Sequence, residues 1–196
     1  MRVSLLFVLL FPSFLIFAQK SNSSSIFDTL YRQDELHITL TYPFDSLYKT
    51  QNEEIDALIK IETASGFIMN ESAITLNLRG KFRRMKCNMP PLMLNFKKSA
   101  LKALNLSGVD EMKLVTHCID GPEGQNNLEE ERLIYQIYES LTPISYRTIW
   151  TKVTYCDMNN KTNCIQSVGF LLEPDKVISQ RLDMEERKLF NISEDS

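Results

Sequence analysis

The stretch Asn126–Pro143, NNLEEERLIYQIYESLTP, holds the clearest helix of the sequence and decides for a mixed fold. Asn126 and Asn127 offer N-cap side chains, and Glu130 follows Asn127 at the spacing of a capping box. Ile134, Ile137, Tyr138 and Leu141 recur at i, i+3, i+4 and i+7, the signature of one apolar helical face. Pro143 stops the helix, because the residue before a proline is driven out of the helical region. A helix with one apolar face needs a surface to lie on, so the rest of the chain should supply a sheet.

Period-two patterns supply it. On the N-terminal side, Leu36–Tyr42 (LHITLTY), Ala57–Thr63 (ALIKIET) and Ala73–Phe82 (AITLNLRGKF) read as strands, with Asp45–Asp56 a polar connection. Leu92–Phe96 (LMLNF) and Met112–His117 (MKLVTH) follow, separated by a short helix that Ser99 caps and that runs through Leu104. Beyond the long helix, Thr148–Tyr155 and Ile165–Leu172 form the arms of a hairpin, with Asn159-Asn160 at its tip. Asp175–Leu182 reads as a last short helix. About seven strands and one principal helix predict an α+β fold, an antiparallel sheet with the helix packed on one face.

Composition agrees with a folded domain. Of 196 residues, 43% are apolar and 24% charged, close to a globular average and far from a disordered one. A net charge of −3 argues against a nucleic-acid protein driven by bulk charge. Two histidines, His37 and His117, and four cysteines leave little material for a zinc site.

The first segment reads as an address. Met1–Ala18, MRVSLLFVLLFPSFLIFA, places Arg2 before an apolar run and ends against polar Gln19 and Lys20. That is the layout of a signal peptide cleaved after Ala18. The run is broken by Pro12 and Ser13 and is shorter than the roughly 20 residues that a membrane-spanning helix needs. The expected organisation is therefore a signal peptide at 1–18 and a flexible lead-in at 19–35. A folded domain at 36–182 and a charged tail at 183–196 follow, with no membrane span after cleavage. Export, to the exterior, the periplasm or the cell surface, permits disulfides. Cys87, Cys118, Cys156 and Cys164 allow three connectivities. Pairing Cys156 with Cys164 across the hairpin tip is geometrically easy and leaves Cys87 and Cys118 to each other. Four free thiols are the alternative in a reducing compartment.

The net charge hides a segregation. Arg79, Lys81, Arg83, Arg84, Lys86, Lys97, Lys98 and Lys102 fall in one short stretch without an acid. Acids dominate from Asp120 to Glu139. Two basic strands joined at Pro90-Pro91 could hold phosphates, since arginine offers a bidentate fork and lysine a point charge. The alternative is a solvated basic hairpin. At 100° per residue Glu131 falls about 20° from Tyr138, on the face expected to turn inward. An inward carboxylate requires a cation, so a lysine or arginine of the basic strands is its expected partner.

In order along the chain stand RGKFRR (Arg79–Arg84), PPLMLNFKK (Pro90–Lys98), LVTHC (Leu114–Cys118), QNN (Gln125–Asn127), LTPISYR (Leu141–Arg147) and GFLLE (Gly169–Glu173). From Leu78 to Glu173 this order resembles the spore-coat protein H (CotH) kinase-like family, especially its secreted bacterial relatives. The resemblance implies the N-terminal lobe of an atypical kinase fold. It implies Lys97 or Lys98 as the phosphate-contacting lysine, Glu131 as its helix partner, Glu173 at the hinge and Arg79 near the phosphates. The family's metal-holding acids lie in a C-terminal lobe beyond the hinge, so no catalytic residue is expected in this chain. ATP and Mg²⁺ are expected only in a full-length relative. The expectation is a truncated chain, inactive as a kinase alone. Its rival is a non-catalytic exported module whose basic hairpin binds an anionic polymer or a partner protein. A Ser/His or Cys/His hydrolase ranks last. His117 and Cys118 are strand neighbours pointing to opposite faces, and His37 has no evident partner.

Overall fold

The computed structural model describes residues 23–49, 53–80, 82–160 and 162–185. The leader at 1–18, with its expected cleavage, and most of the charged tail lie outside the described residues.

The alternating stretches become strands β1 (Leu36–Tyr42), β2 (Ile55–Thr63), β3 (Gly66–Leu78), β4 (Leu92–Phe96), β5 (Glu111–Thr116), β6 (Thr148–Asp157) and β7 (Cys164–Leu172). In β1 the cause is plain: Leu36, Ile38, Leu40 and Tyr42 are buried, and the polar residues between them point the other way. Each inward side chain of this size contributes about 1.5–3 kcal/mol by leaving water.

The strands do not form the expected open sheet. They run in the order β1-β2-β3-β4-β5-β7-β6 and close into a barrel. Every neighbouring pair is antiparallel except β1 and β6, which run parallel from Leu36 opposite Thr151 to Tyr42 opposite Asp157. The α+β expectation, a sheet covered by one principal helix like a kinase N-terminal lobe, is thereby overturned. A strand with one apolar face is compatible with either arrangement. Here the apolar faces of Ile38, Leu40, Ile59, Leu76, Leu94, Leu114, Val153 and Leu171 turn toward one another inside the barrel.

Among the described residues six helices accompany the barrel: α1 (Ile26–Tyr31), α2 (Phe44–Lys49), α3 (Arg83–Lys86), α4 (Lys98–Ala103), α5 (Pro122–Leu141) and α6 (Asp175–Leu182). The lead-in expected to be flexible contains α1. Ser25 accepts a hydrogen bond from the Asp28 amide as its N-cap, and Ile26, Phe27 and Leu30 join the main core. The stretch Arg79–Phe82, expected as strand, leaves the sheet after Leu78. Gly80 adopts φ +74°, a conformation glycine reaches freely, and the chain turns into α3.

The long helix α5 exists but is rotated relative to its expected face. It starts at Pro122, four positions before Asn126, because proline is preorganised for the first turn. Gly124 and Leu128 are its buried residues. A Cβ on Gly124 would collide with the Ile119 carbonyl oxygen, so only glycine permits this approach. Leu128 packs with Val115, Phe170 and Leu172 on the outer surface of the barrel, with Tyr135 and Trp150 against them. The expected inward stripe faces solvent: Ile134, Ile137, Tyr138 and Leu141 are 57%, 48%, 59% and 76% exposed. No helix among the described residues is long and apolar enough to cross a membrane.

Two disulfides join Cys87 to Cys118 and Cys156 to Cys164. Both pairings are those reached from the hairpin tip, and they fit an oxidising compartment.

Candidate anion-binding groove

The cations that are adjacent in sequence are divided by β4. Arg79 lies level with Pro91, whose carbonyl oxygen accepts the Arg79 amide at 2.8 Å. Lys97 and Lys98 follow the far end of β4, about 20 Å along at about 3.3 Å per residue. Lys97 is exposed, and Lys98 pairs with Asp110 at 3.4 Å. The strand therefore holds both lysines apart from Arg79.

Glu131 does find a cation of the basic segment. Arg83 Nη2 donates to Glu131 Oε2 at 2.9 Å. The turn at Gly80 makes this contact, because it starts α3 and α3 carries Arg83 back toward α5. Glu130 and Glu129 are exposed.

A second site lies on the outer surface of β4 and β5, beside the start of α6. Lys113 of β5 stands opposite Met93 on β4 and Leu172 on β7. Its Nζ donates to both Asp175 oxygens at 2.7 and 2.9 Å, and the Tyr146 hydroxyl donates to Oδ1 at 3.0 Å. Burial pushes the Asp175 carboxyl up, but Lys113, Tyr146 and the field of Arg79 outweigh it and hold the acid below its ordinary range. A cavity of about 470 Å³ adjoins the pair, lined by Met93, Val109, Glu111, Lys113 and Pro174 among others.

Arg79 is the unmatched charge near this pair, within the field of Asp175. Its side chain is half-buried, and among the described residues it makes no hydrogen bond or ion pair. Burial pushes the guanidinium pKa down, against the fields of Asp175 and Tyr135. The Tyr135 hydroxyl is pushed up by burial and by Glu131. Glu131 and Asp175 are engaged by Arg83 and Lys113, so Arg79 retains donors for an incoming anion.

Glu173 has a different setting. It is fully buried and accepts from Arg147 N, Nε and Nη2 and from Arg181 Nε and Nη2, at 2.6 to 3.0 Å. A carboxylate offers about four lone-pair positions, so none is left for a ligand. Arg147 Nη2 also donates to Asp28 at 2.7 Å, and its guanidinium stacks over Phe27 and Tyr31. The cluster ties α1, β6, β7 and α6 together.

Lys113, Tyr135, Tyr146 and Asp175 have no motif to announce them. They come from β5, α5, the segment before β6 and α6, and only barrel closure and the docking of α5 bring them together.

No protein-family model matches the chain, and no curated protein matches it.

Proposed function

We propose that the protein is an exported binding module that holds the anionic group of a polymer or nucleotide at Arg79. The observation that carries this reading is the half-buried Arg79 guanidinium, which lacks a partner among the described residues while its neighbours are paired. Desolvating a cation without an anion is unfavourable, and an arriving phosphate, sulfate or carboxylate relieves it with a charge-assisted, bidentate contact. Export is supported by the layout of Met1–Ala18 and by both disulfides.

Calorimetric titration with ATP, with and without Mg²⁺, and with dextran sulfate tests the reading and separates the two ligand sources. Arg79→Gln is expected to weaken binding at least tenfold, and binding should fall as salt rises. The Lys97→Ala/Lys98→Ala double variant should bind within about twofold of the parent. Equal binding by the parent and Arg79→Gln removes the proposal. Loss only in the lysine double variant assigns the site to the far end of β4.

A further inference from the structure

His117 is the first residue after β5, and the ladder explains what it meets. Gly169 of β7 pairs with Thr116, the last residue of β5. A Cβ on Gly169 would lie 2.8 Å from the Val115 carbonyl oxygen, so glycine is required for this approach of the two strands. Two residues earlier on β7, Ser167 passes the end of β5 and meets His117. Ser167 Oγ lies 2.9 Å from His117 Nδ1, and the other ring nitrogen, Nε2, lies 3.5 Å from Asp120 Oδ1. Among the described residues, the hydroxyl's one other hydrogen-bond contact is the Val168 carbonyl at 3.5 Å, a long and weak one.

The loop that carries His117 and Asp120 is held at several points. Cys118 is bonded to Cys87, and the Asn88 amide donates to the Cys118 carbonyl at 2.8 Å. Asn88 Nδ2 donates to Asp120 Oδ2 at 2.9 Å. The imidazole thus has a carboxylate 3.5 Å from one nitrogen and a hydroxyl 2.9 Å from the other. A cavity of about 490 Å³ opens beside them, lined by Pro122, Gln125, Ile165 and Val168 as well as the three residues. Its size suits a small organic ligand, and the first turn of α5 directs the positive end of the helix dipole toward it.

We propose that Ser167, His117 and Asp120 form an acyl-transfer site that hydrolyses a small, uncharged carboxylic ester. Nε2–H faces Asp120, which leaves the Nδ1 lone pair to accept the Ser167 proton. Ser167 Oγ attacks the ester carbonyl carbon as its proton passes to Nδ1. The C–O bond to the alcohol then breaks, and the alcohol leaves with that proton. Water attacks the acyl-serine, gives a proton to Nδ1, and releases the carboxylic acid as Ser167 Oγ recovers its proton. Ser167 and His117 are the catalytic residues, and Asp120 is a positioning residue. The hydrolase reading from sequence sought a partner for His117 in its neighbour Cys118. The partner that the fold supplies is on β7.

The full chain, made in an oxidising compartment so that both disulfides form, is treated with a fluorophosphonate and assayed with p-nitrophenyl acetate. The expected result is one phosphonyl adduct on the Ser167 peptide. Ser167→Ala should show no adduct and a rate near that of buffer. His117→Gln should lower kcat about 10²- to 10⁴-fold, the usual scale of general-base loss. Asp120→Asn should lower kcat with little change in KM, and Asp120→Glu should recover part of it. Circular dichroism of each variant confirms folding, and the small Ser167→Ala change keeps the test valid if His117→Gln misfolds. Absence of an adduct on Ser167 of the folded parent, or hydrolysis undiminished in Ser167→Ala, overturns the proposal.

Discussion

Glu173 shows how much one side chain can hold. Burial pushes its carboxyl up, and the hydrogen bonds from Arg181 and Arg147 more than reverse this, so it titrates below its ordinary value of 4.5. Burial likewise raises Asp28, and Arg147 and Ser25 bring it below 3.8. A carboxyl depressed in the folded state stabilises fully above its unfolded pKa. That stability is lost as pH falls through the folded pKa. Stability should therefore be level from neutrality to about pH 5 and decline below it. Glu173→Gln should flatten that decline in urea titrations run from pH 7 to pH 3. At pH 7 it should cost about 3–5 kcal/mol, because two arginines lose their buried counter-charge. An unchanged acid limb in this variant would assign the decline to other carboxyls.

At the scale of the element, α5 corrects a pattern that read well in sequence. Ile134, Ile137, Tyr138 and Leu141 share one face, as their spacing requires, but that face looks outward. The side that docks uses Gly124 and Leu128, with half-buried Glu131 and Tyr135. Close approach at Gly124 and the Glu131–Arg83 pair select it over the more apolar side. Leu128→Ala should cost about 2–5 kcal/mol by opening a cavity. Ile137→Asp should change stability by no more than about 0.5 kcal/mol. Thermal melts of both variants decide the orientation, and the reverse order of effects would put the helix back on its apolar stripe.

For the whole molecule, the two disulfides constrain segments of unequal length. Cys156 and Cys164 are 8 residues apart at a hairpin tip, whereas Cys87 and Cys118 are 31 apart and enclose β4, α4 and β5. Loop-closure entropy assigns about 2.6 kcal/mol to the first and about 3.7 kcal/mol to the second. Replacing Cys87 and Cys118 together by serine should therefore lower the urea midpoint more than replacing Cys156 and Cys164. Near-equal losses would indicate that residual structure in the unfolded chain already restrains the longer loop.

Local information in the sequence was sufficient for elements whose residues decide their own conformation. Strands Leu36–Tyr42 and Leu92–Phe96 and helix Asp175–Leu182 have the bounds that their patterns predict. The hairpin disulfide follows from its tip, and a cation of the basic segment does pair with Glu131. Barrel closure was not legible, because it rests on β1 meeting β6 across more than a hundred residues, and an apolar strand face does not name its partner. The groove was half legible for the same reason. Arg79 and Glu131 stand in a charge pattern, but Lys113, Tyr146 and Asp175 acquire meaning only when β5, the segment before β6 and α6 become neighbours. Periodicity is a property of consecutive residues, and it determines which faces exist. Which face meets which is decided by packing and charge pairing over the whole chain, and only the tertiary structure contains them.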